Sequence, residues 1–154
     1  MAPRASQLSS LRHLRAGVQL AKIACAAAAV EVGLRMLPLP LLLRTLGLKL
    51  AADNELVPAQ ELPPLVAREA SMAATRVDRV VRRWRPRRVC LRRSLVLGTM
   101  LRHHDPALRL GIRRAGQEIE AHAWLEIDGV PLPDFGGAVE SGSFSPLRQA
   151  SASR

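Results

Sequence analysis

The ten residues EIEAHAWLEI at 118–127, followed at once by Asp128-Gly129, constrain this chain more than any other stretch. Alternation at period two marks a strand with one buried face. Ile119, Ala121, Ala123, Leu125 and Ile127 share one side, and Glu120, His122, Trp124 and Glu126 share the other. Asp-Gly is a strong hairpin signal, and VPLPDF at 130–135 returns as the partner strand. Pro131 and Pro133 have no amide hydrogen for a ladder, so that strand belongs at a sheet edge. ALRLGIRR at 107–114 alternates as well and joins the first strand through the short Ala115-Gly116-Gln117 connection. A small antiparallel sheet therefore occupies the C-terminal part of the chain.

The N-terminal part has helical character. From Ser10 to about Met36 the chain is rich in alanine and leucine and free of proline, with Leu11, Leu14, Val18, Ala21 and Cys25 at helical spacing. The LPLP segment at 37–40 interrupts it, and LLLRTLGLKL at 41–50 predicts a second short helix. A polar connection, AADNELVP at 51–58, leads to a helix over about Pro63–Arg83. Its first turn suits the two prolines, and its apolar stripe is Leu65, Ala73, Val77, Val80 and Val81. Residues 90–102 predict a further helix with Leu91, Leu95, Leu97 and Leu101 toward the core. The expected organisation is an N-terminal helical region at 1–62, a core at 63–138 and a flexible tail at 139–154. A chain of 154 residues buries roughly 68–70% of its unfolded surface, so it requires no metal or disulfide staple.

Composition narrows the function classes. The net charge is +10, and nine arginines fall within residues 76–93, which suits an anionic partner: nucleic acid, an acidic peptide or a membrane surface. Nothing there resembles a recognition helix or a metal finger, and aromatics are 3% of the chain, so nucleic acid is not an expected partner. The arginines read first as a solvated face. The clean apolar run between Lys22 and Glu31 is shorter than the ~20 residues that span a bilayer. Membrane contact by the first helix, through Arg12, Arg15 and Lys22, is weighed below its packing on the domain. Two cysteines and no evident secretory signal predict a reducing, cytoplasmic setting.

Cys25, within an alanine run, reads as a small buried hydrophobe. Cys90 instead falls at a helix start, flanked by Arg87, Arg88, Arg92 and Arg93. Unpaired amides and neighbouring cations there stabilise a thiolate. His122 on the strand's polar side is a candidate base, and Asp134 a candidate carboxylate to orient its ring. Asp134 shares a face with His122 if the Asp128-Gly129 turn carries a third, bulged residue that pairs Trp124 with Asp134. A strict two-residue turn sets Asp134 opposite Ala123, on the other face. The bulged form is predicted. Taken singly, His122 fits a core histidine and Asp134 a turn residue; jointly with Cys90 they fit a nucleophile, base and orienting acid. His103 and His104 read as a helix C-terminus, remote from Cys90.

CLRRSLVLGTMLR followed by AHAWLEIDGVPLPD resembles the transglutaminase-like cysteine protease of lasso peptide biosynthesis, the B2-type leader peptidase. That family carries a Cys-Leu-x-x-Ser-Leu helix, a His-Ala-Trp-x-Glu strand, a hairpin, and an Asp twelve residues after the His. Cys90, Leu91, Ser94, Leu95, His122, Ala123, Trp124, Glu126, Gly129 and Asp134 occupy those places. The similarity is close over residues 84–135 and looser through VEVGLRMLPLPLLLRTLG. The resemblance implies an α+β fold. Its transglutaminase-like, papain-like core packs the nucleophile helix on the small antiparallel sheet, behind an N-terminal helical region. It also implies a Cys90-His122-Asp134 triad without cofactor or metal, which frees a lasso core from its precursor peptide. Implied partners are a separate leader-binding B1-type protein, since residues 1–60 read as helices, and an ATP-dependent lasso cyclase. HHDPALRLGIRR departs from the family in lacking its glycine-containing turn. Left open from the residues are a transglutaminase-like acyl transferase, a non-enzymatic basic binding module and a membrane-surface scaffold.

Overall fold

A computed structural model describes residues 5–51, 61–82, 89–132 and 144–146. Helix α1 runs over Ala5–Met36, unbroken because no proline interrupts it. Leu37 donates to the Gly33 carbonyl, and Pro38 then becomes the N-cap of α2, Leu39–Leu46. Here the sequence expectation is corrected. The second helix ends at Leu46, because Gly47 adopts a left-handed φ of 71° and its N–H turns back to the last carbonyls. The following Lys49–Leu50 form a short strand, β1. Helix α3, Pro64–Val81, buries Ala70, Ala74, Val77 and Val81 along one stripe. Leu65, expected in that stripe, is 80% exposed.

Helix α4, Val89–Met100, is the central element. From Arg93 to Gly98 every residue is buried, because α1 and α3 cover it on one side and the sheet on the other. Ile23, Ala27 and Val30 of α1 join Val77, Val81, Leu95, Val96 and the sheet residues Leu108 and Leu125 in one apolar cluster. Within α1, Ala16–Met36 is long and apolar enough by length and composition to cross a membrane, although part of that segment packs into this cluster.

Strands β2, Ala107–Ala115, and β3, Glu118–Ile127, pair antiparallel along their whole length. Gly116, at φ 63°, opens their two-residue turn. Strand β4, Val130–Pro131, pairs with β3 at the sheet edge, where its proline was expected. Strand β5, Ser145–Pro146, pairs antiparallel with β2, so this part of the expected flexible tail is a strand with Phe144 buried beside it. The sheet is mixed rather than antiparallel throughout, because β1 joins β2 in parallel.

The bulged turn does not form. Ile127 pairs directly with Val130 across Asp128 and Gly129, which both take positive φ, 51° and 78°, as a type I′ turn requires. The right-handed twist of the flanking strands favours this turn, and Asp-Gly supplies the two residues that tolerate it. Leu132 extends the ladder by donating to the Leu125 carbonyl.

The supposed polar side of β3 is also buried over Trp124 and Glu126. Glu126 accepts from Arg109 Nε at 2.6 Å and from the Trp124 indole at 3.0 Å. Charged groups so deeply buried are tolerated when paired and hydrogen-bonded. Glu126→Ala should therefore destabilise the protein by about 3–5 kcal/mol, the cost of stranding the Arg109 charge from its carboxylate. A denaturant-unfolding midpoint measures it.

Candidate active site

Cys90 occupies the first turn of α4, as its position after the arginine run predicted, and is half-buried. His122 stands on β3, also half-buried, and its ring hydrogen-bonds the Cys90 thiol. This contact is permitted by the edge of β3. Among the described residues the partners of β3 in β4 reach Leu132 at Leu125, and the next backbone groups of β3 on that side belong to Ala123. Helix α4 takes both. Ser94 Oγ donates to the Ala123 carbonyl at 3.0 Å, while the Ala123 N–H bonds to the Cys90 sulfur. Cys90 and Ser94 are four residues apart and thus share one helix face. One turn of helix is stitched to one residue of strand, and that residue neighbours His122.

The electrostatics follow from these contacts. The Cys90 thiol is held below its ordinary pKa, first by the hydrogen bond from His122, against the opposing effect of burial. The Ala123 N–H, the charge of His122 and the Leu91 N–H at the helix start lower it further. The arginines flanking Cys90 have other work. Arg92 binds Glu31 of α1 at 2.6 Å, and buried Arg93 binds Asp78 of α3 at 2.8 Å. Arg92 thereby holds the Glu31 carboxyl below the usual carboxylate range. The thiol is thus tuned by an imidazole and two backbone amides, while these two guanidinium groups fasten α4 to its neighbours. Arg87 and Arg88 lie outside the described residues.

An aromatic wall surrounds the imidazole. His122 stacks on Trp124, with ring centroids 5.8 Å apart and planes at 21°, as neighbours two apart on one strand face can. Phe144 approaches the same ring at 5.2 Å from beside β5. Gly111 lies opposite His122 in the β2–β3 register. A Cβ there would meet the Trp124 ring at 2.7 Å and Phe144 Cβ at 2.9 Å, so glycine leaves the space that both aromatics use. Ser94, named in the sequence only as part of the Cys-Leu-x-x-Ser-Leu motif, had no assigned site role, and neither did Gly111 or Phe144. The spacing of Ser94 from Cys90 could have indicated the first; the other two depend on long-range pairing.

Asp134 lies outside the described residues. His103 and His104 follow α4 on a 3-10 turn, at the end opposite Cys90, and do not join it. Cys25 is exposed rather than buried.

A family model described as the transglutaminase-like superfamily matches residues 33–149, more than half of the chain. The chain belongs to that superfamily. Transglutaminase-like proteins include cysteine peptidases and acyl transferases and are typically cysteine-dependent enzymes. No curated protein and no solved structure matches. Its α+β architecture is the one expected for a transglutaminase-like domain.

In a Cys25→Ser chain, the rate of Cys90 alkylation by iodoacetamide should rise with pH through a midpoint below the ~8.5 of a free thiol. His122→Ala should move that midpoint upward, because the largest lowering influence is gone; an unmoved midpoint would remove the imidazole from this role. Gly111→Ala should cost about 1–3 kcal/mol by overpacking the aromatic wall. It should also slow Cys90 alkylation, as the His122 ring is displaced along with Trp124 and Phe144.

Proposed function

We propose that this transglutaminase-like protein is a cysteine peptidase that removes the leader from a ribosomally made lasso precursor peptide. Cys90 is the nucleophile and His122 the general base and acid. Asp134 is assigned to orient the His122 ring, a role that requires the chain beyond Leu132 to leave the two-residue-turn register, which by itself would set Asp134 opposite Ala123. The observation that carries the proposal is the Cys90–His122 hydrogen bond at the tip of α4, with the thiol held below its ordinary pKa. Such a pair has the two properties required of nucleophilic catalysis, an activated sulfur and a proton carrier in contact with it.

In the proposed reaction the thiolate attacks the scissile carbonyl carbon, and its oxygen becomes an oxyanion held by backbone amides at the start of α4. The imidazolium gives its proton to the leaving amine as the C–N bond breaks, which leaves the leader as a thioester on Cys90. His122 then takes a proton from water, whose oxygen attacks the thioester. The leader departs as a carboxylic acid and the thiol is restored. The liberated amine is the N-terminus of the core peptide, which an ATP-dependent cyclase joins to an acidic side chain. Leader recognition is assigned to a separate B1-type protein, and the reaction to the reducing cytoplasm. Sequence text supports the leader-peptidase assignment: the Ser94-Leu95 and Ala123-Trp124 flanks of the reactive pair match that subtype.

The test combines the chain, its lasso precursor and the B1-type partner, with mass spectrometry of the products. Hydrolysis at the leader–core junction is expected, abolished by Cys90→Ala and His122→Ala and slowed roughly 10²–10⁴-fold by Asp134→Asn. Cleavage that survives Cys90→Ala would eliminate the thiol mechanism. A leader recovered as an adduct with an added amine, instead of as the free acid, would identify an acyl transferase.

A further inference from the structure

Far from the thiol, three side chains from two elements converge without any role in the chemistry above. Glu69 stands on α3, and His103 and His104 stand on the 3-10 turn after α4. Nε2 of His103 lies 3.0 Å from one oxygen of the Glu69 carboxylate, and Nε2 of His104 lies 3.1 Å from the other. The two rings are 4.1 Å apart between centroids and inclined at 43°. One ligand atom from each residue can be chosen so that all three fall within 4.8 Å of one another. We propose that Glu69, His103 and His104 form a binding site for one divalent transition-metal ion of the zinc class.

The geometry suits such an ion. Zinc bonds of about 2.0–2.2 Å at tetrahedral angles set neighbouring ligand atoms about 3.3 Å apart. The two nitrogen–oxygen contacts, 3.0 and 3.1 Å, are within a few tenths of an ångström of that spacing. The wider separation within the set, which lies within 4.8 Å, closes as the half-exposed His103 and Glu69 side chains turn onto the ion. Both imidazoles now point a ring nitrogen at one carboxylate; a dication between them replaces the hydrogen-bonding protons with coordinate bonds. Two neutral nitrogens and one carboxylate make a borderline donor set, which selects zinc, cobalt, nickel or copper over magnesium or calcium.

The surroundings also fit. His103 and Glu69 have half-exposed side chains, so an ion can enter and water can complete its coordination. The turn that presents both rings is held by the His104 N–H on the Leu101 carbonyl and by Asp105 in a left-handed conformation. Asp105 is itself tied to Lys49 of β1. Coordination would therefore cross-link α3 to the end of α4 and stabilise the folded chain by mass action.

The test uses the full chain carrying Cys25→Ser and Cys90→Ala, so that neither thiol competes. Calorimetric titration with zinc should find one ion per chain and a raised thermal midpoint. Glu69→Gln and the pair His103→Ala with His104→Ala should each weaken zinc binding by more than about tenfold. Circular dichroism shows whether those variants fold. Independently of them, the ring-proton NMR signals of His103 and His104 should shift together as zinc saturates the site, and cobalt should give tetrahedral d–d bands. Zinc affinity unchanged in Glu69→Gln, no binding at all, or histidine signals that stay in place would overturn the proposal. None of these readouts depends on peptidase activity.

Discussion

The contact between the first turn of α4 and the edge of β3 governs much of this structure. Ala123 presents its N–H and carbonyl outward from the β2–β3 ladder, and backbone groups buried without partners are costly. The helix answers both with the sulfur of Cys90 and the hydroxyl of Ser94. The same stitch that satisfies the strand edge brings the sulfur to His122.

Electrostatic duties divide along the same helix. Arg92 and Arg93 turn to Glu31 and Asp78, on α1 and α3, and so hold the nucleophile helix at a set position between them. The long-range charge of an arginine-rich chain is screened over about 8–10 Å in solution, whereas a hydrogen bond at the sulfur acts at contact distance. The imidazole and two amides therefore shape the thiol's acidity, while Arg92 and Arg93, near Cys90 in sequence, are turned to carboxylates on α1 and α3. On the other side of the sheet, the Arg109–Glu126–Trp124 group and Phe144 bury the face of β3 that alternation assigned to solvent.

Membership of the transglutaminase-like superfamily accounts for a cysteine on a helix and a histidine on the neighbouring strand. The chemistry available to that pair is acyl transfer to sulfur, and hydrolysis and transamidation differ in the nucleophile that collects the acyl group. Substrate choice therefore resides in the surroundings of the pair, where superfamily membership is silent.

Much of the architecture was legible from local pattern. Period-two alternation located β3 to the residue, Pro63 and Pro64 marked the start of α3, and Cys90 was recognisable at a helix start because the arginine run precedes it. Helix α2, by contrast, begins at Leu39, within the LPLP segment read as a break. Local pattern is readable when the physical cause acts within a few residues, as it does for capping, proline stereochemistry and strand pleat. The sequence by itself therefore determined the helix-then-sheet order, the edge strand and the identities of the sulfur and the ring. The tertiary structure alone decided the register of the Asp128-Gly129 turn, the parallel addition of β1 and the burial of Glu126. It alone joined Phe144 and Gly111 to the histidine and gave Arg92 and Arg93 to distant carboxylates. Each of these depends on which segments, tens of residues apart, meet in space, and side-chain spacing along one element carries no record of that.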